Sequence, residues 1–166
     1  MKVRCIHADE GARLRDLRLR ALAEAPDAFA TSLGEAQARP QAYWDEFAER
    51  AATSDTMATF VAEDGAQWHG LGGGFFLEDR PDTAELVAMW VDPVRRRSRV
   101  GTALVDAIVQ WARGRGAKRV QLWVTQSNDQ AISLYVRHGF VETAHTKTLP
   151  SNPAHRIVLM VRELCP

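Results

Sequence analysis

One stretch of sequence decides the fold, LVAMWVDPVRRRSRVGTALVDAIVQWARGRGAKRVQLWVTQSNDQAISLYVRHGF, which runs from Leu86 to Phe140. An apolar segment opens it, an arginine-rich turn follows, and an amphipathic helix leads to a second strand and a second helix. The first helix is marked by apolar residues at helical spacing: Val100, Ala103, Leu104, Ala107, Ile108 and Trp111. Gly114 and Gly116 end this helix. The strand–helix–strand order predicts two parallel strands joined by a right-handed crossover.

Hydrophobic periodicity on either side of this stretch predicts the remaining elements. Strands are expected at Lys2–Ile6, Met57–Ala62, Gln67–Leu77, Thr83–Val91, Arg119–Val124, Val141–Thr146 and Arg156–Val161. Helices are expected at Gly11–Ala25 with Asp9 as N-cap, at Gln41–Ala52, from Val100 onward, and at Asp129–His138. This order predicts a mixed sheet with helices on both faces. Residues 1–166 are expected to form a single domain.

Composition narrows the class of protein. At 46% hydrophobic and 25% charged residues, the chain is globular rather than disordered. Lys+Arg 21 balances Asp+Glu 21, so no overall field favours nucleic acid or an anionic membrane. Cys5, Cys165 and the five histidines lack metal-ligand spacing, so no metal site is expected. With no apolar run that could span a bilayer, we expect a cytoplasmic protein with reduced thiols.

The arginine-rich turn predicts an anion site. Arg96–Gly101 lies between a strand and the start of a helix, where unpaired N–H groups and the helix dipole favour phosphate oxygens. Taken by its position, the run Arg95–Arg99 also fits a solvated surface or a nucleic-acid patch. The absence of interleaved aromatic residues and the zero net charge disfavour nucleic acid.

A second motif follows the second strand, Asn128-x-x-Ala131-x-x-Leu134-Tyr135-x-x-x-Gly139-Phe140. It resembles the N-x-x-A-x-x-L/F-Y-x-x-x-G-F motif of the GNAT N-acetyltransferase superfamily at every defined position. The turn before it resembles the family pattern Q/R-x-x-G-x-G/A, with Arg96 first, Gly101 last, and Arg99 in place of the middle glycine. The resemblance covers Leu86–Phe140 well and the flanks only by element order.

The resemblance implies a GNAT fold, an α/β chain of the mixed α+β type. Its central mixed sheet is mostly antiparallel, with about seven strands, a splayed parallel pair and about four flanking helices. It implies an acetyl-CoA-dependent N-acetyltransferase that acts on a small amine by direct transfer in a ternary complex. Protein N-terminal or lysine acetylation is the alternative within catalysis, and a non-catalytic acyl-CoA-binding sensor is the alternative from another class. Whether the chain forms a homodimer is left open.

The family's cofactor contacts map onto the same stretch. The phosphates are expected at Arg96, Arg97, Ser98, Arg99, Val100, Gly101 and Thr102, and the acetyl carbonyl and pantetheine at Met89, Trp90 and Val91. We expect Arg99 to keep a negative φ and add a charged contact; the alternative is a strained backbone that weakens the cradle.

Two residues on the second helix and its cap complete the implied cofactor site. Asn128 caps the helix or offers its amide to the pantetheine. Tyr135 contacts the cofactor and protonates the departing thiolate, as a phenol of pKa about 10 facing a thiol of about 8.5. Taken separately, Asn128 also fits a plain cap and Tyr135 a core residue.

The general base and the acceptor site are the least determined parts. Glu85 is the only carboxylate within its strand, and alternation places it on one face with Val87, Met89 and Val91. A buried glutamate there could deprotonate the amine, often through water, and an edge-of-strand surface role is at least as well supported. Deprotonating a lysine-like amine at pH 7 costs roughly 4.6 kcal/mol, against about 1 kcal/mol for an α-amino group. Because the strand offers no unambiguous base, an acceptor amine of low pKa or proton transfer through a water chain stays open. Candidate acceptor contacts are Phe29, Tyr43, Trp44, Asp45, Glu46, Glu49, His145 and Lys147, with Trp90 and Trp123 as cleft walls. Aromatic residues with carboxylates would suit a cationic amine, and each residue equally fits the core or a solvated helix face.

Overall fold

A computed structural model describes residues 1–164, and Cys165 lies outside the described residues. The strands are β1 (Lys2–Cys5), β2 (Met57–Asp64), β3 (Gln67–Leu77), β4 (Arg80–Val91), β5 (Arg119–Thr125), β6 (Val141–Leu149) and β7 (Asn152–Glu163). The helices are α1 (Gly11–Glu24), α2 (Leu33–Ala38), α3 (Gln41–Thr53), α4 (Val100–Gly114) and α5 (Asp129–Arg137). The strands form one seven-stranded sheet in the order β1-β2-β3-β4-β5-β7-β6.

The parallel pair β4–β5 is the point where the sheet opens. The other neighbouring strands pair antiparallel, whereas these two pair in parallel only from Thr83 opposite Arg119 to Glu85 opposite Gln121. Beyond Glu85 the two strands diverge, which leaves one edge of β4 and one edge of β5 without a strand partner. The predicted mixed, mostly antiparallel sheet with a splayed parallel pair is confirmed.

Helices cover both faces of the sheet, as predicted. α1 and α3 pack on one face, with Leu14, Leu22 and Trp44 in their buried cluster. α4 packs on the other face through its apolar stripe, which includes Leu104 and Ile108. Glycines in β3 let α4 approach closely, because a Cβ at Gly72 would lie 2.9 Å from the Ile108 side chain. The predicted fold class is therefore confirmed, with five α-helices rather than about four.

The start of α1 differs from the prediction. The N-cap residue is Glu10 rather than Asp9. The Glu10 carboxylate accepts no hydrogen bond from the backbone N–H groups of the first turn of α1. Instead Glu10 accepts two hydrogen bonds from Arg4, at 2.7 and 2.8 Å, and one from the backbone N–H of His7 at 2.8 Å. A buried ion pair with β1 thus outweighs the local capping preference that favoured Asp9.

Two further elements were missed or underestimated. α2 is short, but its signal was present, because Ser32 and Glu35 form a reciprocal capping box. The β6–β7 hairpin is longer than expected and turns at Pro150 and Ser151 alone. Pro153 lies within β7, close to the start of the strand, where a missing N–H is tolerated.

Candidate active site

The turn between β4 and α4 presents free backbone donors. Arg99 is the N-cap residue and makes no side-chain cap, and the first helical hydrogen bond runs from the Ala103 N–H to the Arg99 carbonyl at 2.9 Å. Within residues 1–164 the N–H groups of Val100, Gly101 and Thr102 have no backbone partner outside the helix. This end of α4 is therefore suited to an anion.

The four arginines of this turn have different partners. Arg95 pairs with Asp64 at 3.1 Å. Arg96 donates to the Val91 carbonyl at 3.1 Å and to the Glu24 carboxylate at 2.5 Å. Arg97 and Arg99 are exposed and form no ion pair within the described part of the chain. Two guanidinium groups thus remain available to an external anion.

Glu24 lies at the end of α1 and ties this helix to the turn. It accepts from Arg96 and also from the Trp90 indole N–H at 2.9 Å. Burial opposes ionisation, but the bonds from Arg96 and Trp90 outweigh it and lower the pKa of Glu24. Its place here had no sequence signal, because only tertiary folding brings α1 to the turn.

Arg99 adopts a backbone conformation opposite to the expected one. Its φ is 65°, and Arg97 has a φ of 67°, so the expectation of a negative φ at Arg99 is wrong. The left-handed conformation costs a non-glycine residue about 1–2 kcal/mol, which the turn into α4 imposes. Gly101, by contrast, has ordinary helical geometry, and a Cβ there would lie 3.1 Å from Leu134 Cδ2. Gly101 therefore permits the close approach of α4 and α5 rather than a positive φ.

A β-bulge redirects β4 beside the splay. Ala88 has a φ of 56°, and the register passes from Gly73–Val87 to Leu71–Trp90, which inserts one extra residue in β4. The expectation that Glu85, Val87, Met89 and Val91 share one face is therefore wrong. Met89 and Val91 pack on the α4 side, while Val87 lies on the α1 side.

A cavity of about 410 Å³, here called the smaller cavity, opens between the turn, the end of β4 and α5. Of the predicted cofactor residues it is lined by Met89, Trp90, Val91, Arg96, Arg97, Arg99, Gly101, Thr102, Asn128 and Tyr135. Ser98 and Val100 do not line it, because the Ser98 hydroxyl donates to the Arg95 carbonyl and the Val100 side chain is buried. Sequence reasoning missed Glu24 and Arg137 in its wall.

Tyr135 and Asn128 place unused donors in the smaller cavity. Tyr135 is 5% exposed and packs edge-on against Phe140, and its hydroxyl makes no protein hydrogen bond within residues 1–164. Burial raises the pKa of Tyr135, so the phenol stays protonated at neutral pH. Asn128 lines the cavity and caps α5, accepting from the Ala131 N–H at 3.1 Å through its Oδ1, and its NH₂ group forms no hydrogen bond within residues 1–164.

A second cavity of about 1010 Å³, here called the larger cavity, lies on the α1 side of β4. Of the predicted acceptor residues it is lined by Phe29, Tyr43, Trp44, Trp123 and Lys147. Asp45, Glu46, Glu49 and His145 are exposed outside its wall, and Trp90 faces the smaller cavity. The expected carboxylate lining is thus wrong for α3; arginines missed at the sequence level, Arg18 and Arg39, occupy the helical wall instead.

Glu85 lies where the two strands begin to separate. Its carboxylate lines the larger cavity and accepts from the Gln121 side-chain amide at 2.7 Å. Ala28 lines both cavities, and its segment is held in place by the Thr125 hydroxyl, which donates to the Asp27 carbonyl at 2.6 Å. The two cavities thus flank the bulge and share one wall beside the splay.

Comparison with known proteins identifies the family. The sequence profile described as the Acetyltransferase (GNAT) family matches residues 19–140, so the chain belongs to this family of acetyltransferases. The mycothiol acetyltransferase of Salinispora tropica is 31% identical over 143 residues, which covers 83% of this chain and 43% of that protein. The chain spans less than half the length of the curated relatives it matches.

Solved structures share the fold at low sequence identity. The GNAT-family acetyltransferase of Streptococcus pneumoniae superposes with a TM-score of 0.80 at 20% identity, covering 98% of this chain and 99% of that one. The structure of yncA from Salmonella typhimurium with its cofactor acetyl-CoA gives 0.82 at 16% identity, covering 100% and 95%. These likenesses show the fold, and acetyl-CoA is the cosubstrate of the family.

The described residues contain neither a membrane-spanning helix nor a cluster of metal-ligating side chains. Among residues 1–164, none of the helices has the length and apolar character needed to cross a bilayer. The same residues contain no group of three or more potential metal-ligating side chains.

Proposed function

We propose that this protein transfers an acetyl group from acetyl-CoA to the primary amine of a small molecule, directly and within a ternary complex. One observation carries the proposal: two cavities of different chemistry flank the β4 bulge and share a wall at the splay. The smaller one offers anion donors and a neutral phenol, and the larger one offers aromatic walls and a carboxylate. Direct transfer is supported by the position of Cys5, whose thiol donates to the Ala51 carbonyl and lines neither cavity.

The smaller cavity fits the parts of acetyl-CoA. Its pyrophosphate would meet the free N–H groups at the start of α4 together with Arg97 and Arg99. The pantetheine would lie along the unpaired edge of β4 at Met89–Val91, as an added strand does. The free amide of Asn128 would donate to one of its carbonyls. Arg96 would act chiefly through position, since its guanidinium is already bound to Glu24 and Val91.

The chemistry assigned to the chain consists of two proton movements. The acceptor nitrogen attacks the thioester carbonyl carbon, the new C–N bond forms, and the C–S bond breaks. Tyr135 donates its phenolic proton to the departing sulfur, while Glu85, directly or through water, takes the proton lost by the amine. The Gln121 side-chain amide donates to the Glu85 carboxylate at 2.7 Å and holds it at the point where the two strands separate.

Two measurements test the proposal and separate its rivals. Calorimetry should detect CoA binding, and an acceptor screen that follows free CoA should detect turnover with small primary amines. CoA binding without turnover on any amine would indicate the sensor, and turnover only on peptides would indicate a protein acetyltransferase. Absence of CoA binding in the native protein would remove the proposal altogether.

A further inference from the structure

We propose that the acceptor belongs to the amino-acid class, an amine that also carries a carboxylate or equivalent oxyanion, held in the larger cavity by Arg18 and Arg39. The inference rests on the transfer to a small amine proposed above and names its substrate class. It replaces the cationic acceptor that a carboxylate lining would suit, because arginines from α1 and the end of α2 line the cavity and the α3 carboxylates do not.

Arg18 is a partly buried cation that forms no ion pair within the described residues 1–164. It lies on α1 in the wall of the larger cavity, with its Cζ atom 4.5 Å from the centre of the Phe29 ring. Its Nη1 atom is fully buried and has no hydrogen-bond partner in the part of the chain that the structure describes. Burial, together with the neighbouring charge of Arg39, lowers the pKa of Arg18 to about 10, so the guanidinium is still charged at neutral pH. A buried unpaired charge is costly, and an incoming anion would remove that cost.

Arg39 adds a second cation to the same wall. It donates to the Tyr43 hydroxyl at 2.9 Å and lies over the Tyr43 ring at 4.5 Å, and it forms no ion pair within residues 1–164. The carboxylate of Glu35 accepts from the Ser32 backbone N–H and hydroxyl in the capping box and forms no ion pair with Arg39 within the described residues. Two like charges in the wall of one cavity would both be stabilised by a single bound oxyanion.

The carboxylates of the larger cavity do not neutralise these arginines. Asp55 pairs with Arg115, and Glu85 is bound to Gln121 on the sheet side. Glu78 is exposed. The anion site therefore belongs to the helical wall, whereas the proposed base belongs to the sheet.

The residues that line the cavity between the helical wall and the sheet determine which acceptor side chain would fit. Phe29, Tyr43, Trp44 and Phe47 contribute aromatic surface to the cavity. An apolar or aromatic body would pack there, with its amine toward Glu85 and its oxyanion toward Arg18 and Arg39. Amino acids with large apolar side chains and their phosphonate analogues share this chemistry.

Matched acceptors test the oxyanion requirement by turnover. The acetyl-CoA-loaded protein is assayed with L-phenylalanine against 2-phenylethylamine, L-tryptophan against tryptamine, and the phosphonate analogue of phenylalanine as the second anion source. We expect kcat/KM to favour the acids by about tenfold or more, and Arg18→Gln to abolish that preference. Arg15→Gln is the matched control, since Arg15 lies on the same helix with a buried unpaired Nε but outside the cavity.

A binding experiment keeps the inference independent of turnover. The CoA-saturated protein is titrated calorimetrically with 3-phenylpropionate and with the neutral 3-phenylpropionamide. Binding of the acid alone, lost in Arg18→Gln and in Arg18→Met but kept in Arg15→Gln, would support the site. Equal binding of acid and amide, or acid binding unchanged by both Arg18 variants, would overturn it. Loss of CoA binding or of all acetyl transfer in the native protein would instead count against the proposed function.

Discussion

The two cavities beside β4 are built in different ways. The smaller cavity draws most of its wall from one stretch, Met89–Arg137, and its anion donors are largely backbone groups at the start of α4. The larger cavity gathers residues from Leu14 to Ile157, and its chemistry comes from side chains. Backbone donors depend on a local turn, so a short motif can specify them. Side chains from distant elements meet only through the tertiary fold, so their chemistry can change while the first site stays intact.

The largest expected effect comes from Tyr135→Phe, in the smaller cavity. Removing the hydroxyl should lower kcat by roughly 10²–10⁴-fold, the range for a positioned proton donor. Calorimetric CoA affinity should stay unchanged, because the ring still packs against Phe140. Turnover that survives within about threefold would reduce Tyr135 to a packing residue and leave another donor for the thiolate.

Acid should weaken the ion pair that joins β1 to the start of α1. Hydrogen bonds from Arg4 lower the pKa of Glu10 from 4.5 to about 2, against the effect of burial. Because the folded pKa is depressed, this stabilisation is present above pH 4.5 and disappears as the pH falls toward 2. The loss amounts to on the order of 3 kcal/mol.

Urea unfolding at several pH values measures this effect. Glu10→Gln should be less stable near neutral pH and should lose less on acidification than the native protein. Glu49→Gln, at an exposed position on α3, is the control and should follow the native pH dependence. An identical pH dependence in all three proteins would show that the Arg4–Glu10 pair does not anchor α1.

Glu85→Gln examines the proposed base from the larger cavity. The variant should lower kcat about 100-fold at pH 7, the lower limit for a general base, and less at high pH where the amine loses its proton to solvent. The exposed Glu78→Gln, in the same cavity, is the matched control. If Glu85→Gln has the same pH–rate profile as the native protein, Glu85 is not the general base. The proton of the amine would then leave through a chain of water molecules.

Gly101→Leu tests the packing of the smaller cavity. A side chain here would push against Leu134 and separate α4 from α5, so CoA affinity should fall about tenfold or more. Gly114→Leu, at the other end of α4 with nothing within 4 Å of its Cβ, should bind CoA normally. If Arg97→Ala lowers CoA affinity as much as Gly101→Leu does, the charge of Arg97 contributes as much to CoA binding as the packing of α4 against α5.

The smallest effect is expected from Arg99→Gly. Relief of the left-handed strain should raise the free energy of unfolding by up to about 1 kcal/mol, the difference between that strain and the entropy cost of glycine. CoA affinity should be equal or a few-fold lower, with a weaker dependence on salt, because one free cation is lost. CoA binding about tenfold tighter in Arg99→Gly would show that the arginine impairs the cradle and would favour the sensor.

Much of the fold was readable from the sequence because its signals are local. The stripe on α4 and the turns between strands gave the elements, and the motif ending at Tyr135 and Phe140 gave the family. The bulge at Ala88 was not readable, since alanine gives no sign of a positive φ, and it reversed the faces of Met89 and Val91. That is where period-2 reasoning failed.

The acceptor side resisted prediction for a different reason. Arg18 lies within the apolar stripe of α1, four residues after Leu14 and four before Leu22, but the sequence does not show that it packs on Phe29 in the wall of a cavity. Glu24 likewise meets Arg96 across more than seventy positions of sequence. Periodicity identifies the apolar face of a helix. It does not show whether a charged side chain on or beside that face meets solvent, a counterion or a cavity in the folded protein.

The left-handed arginines have a consequence at the level of the gene. Every arginine codon becomes a glycine codon when a single base is changed to guanine, so Arg97 and Arg99 are each one substitution away from a residue that accepts their φ without strain. The strained backbone is therefore not forced by the genetic code. Point mutation continually offers glycine at both positions, and an organism that keeps arginine there trades folding stability for charge.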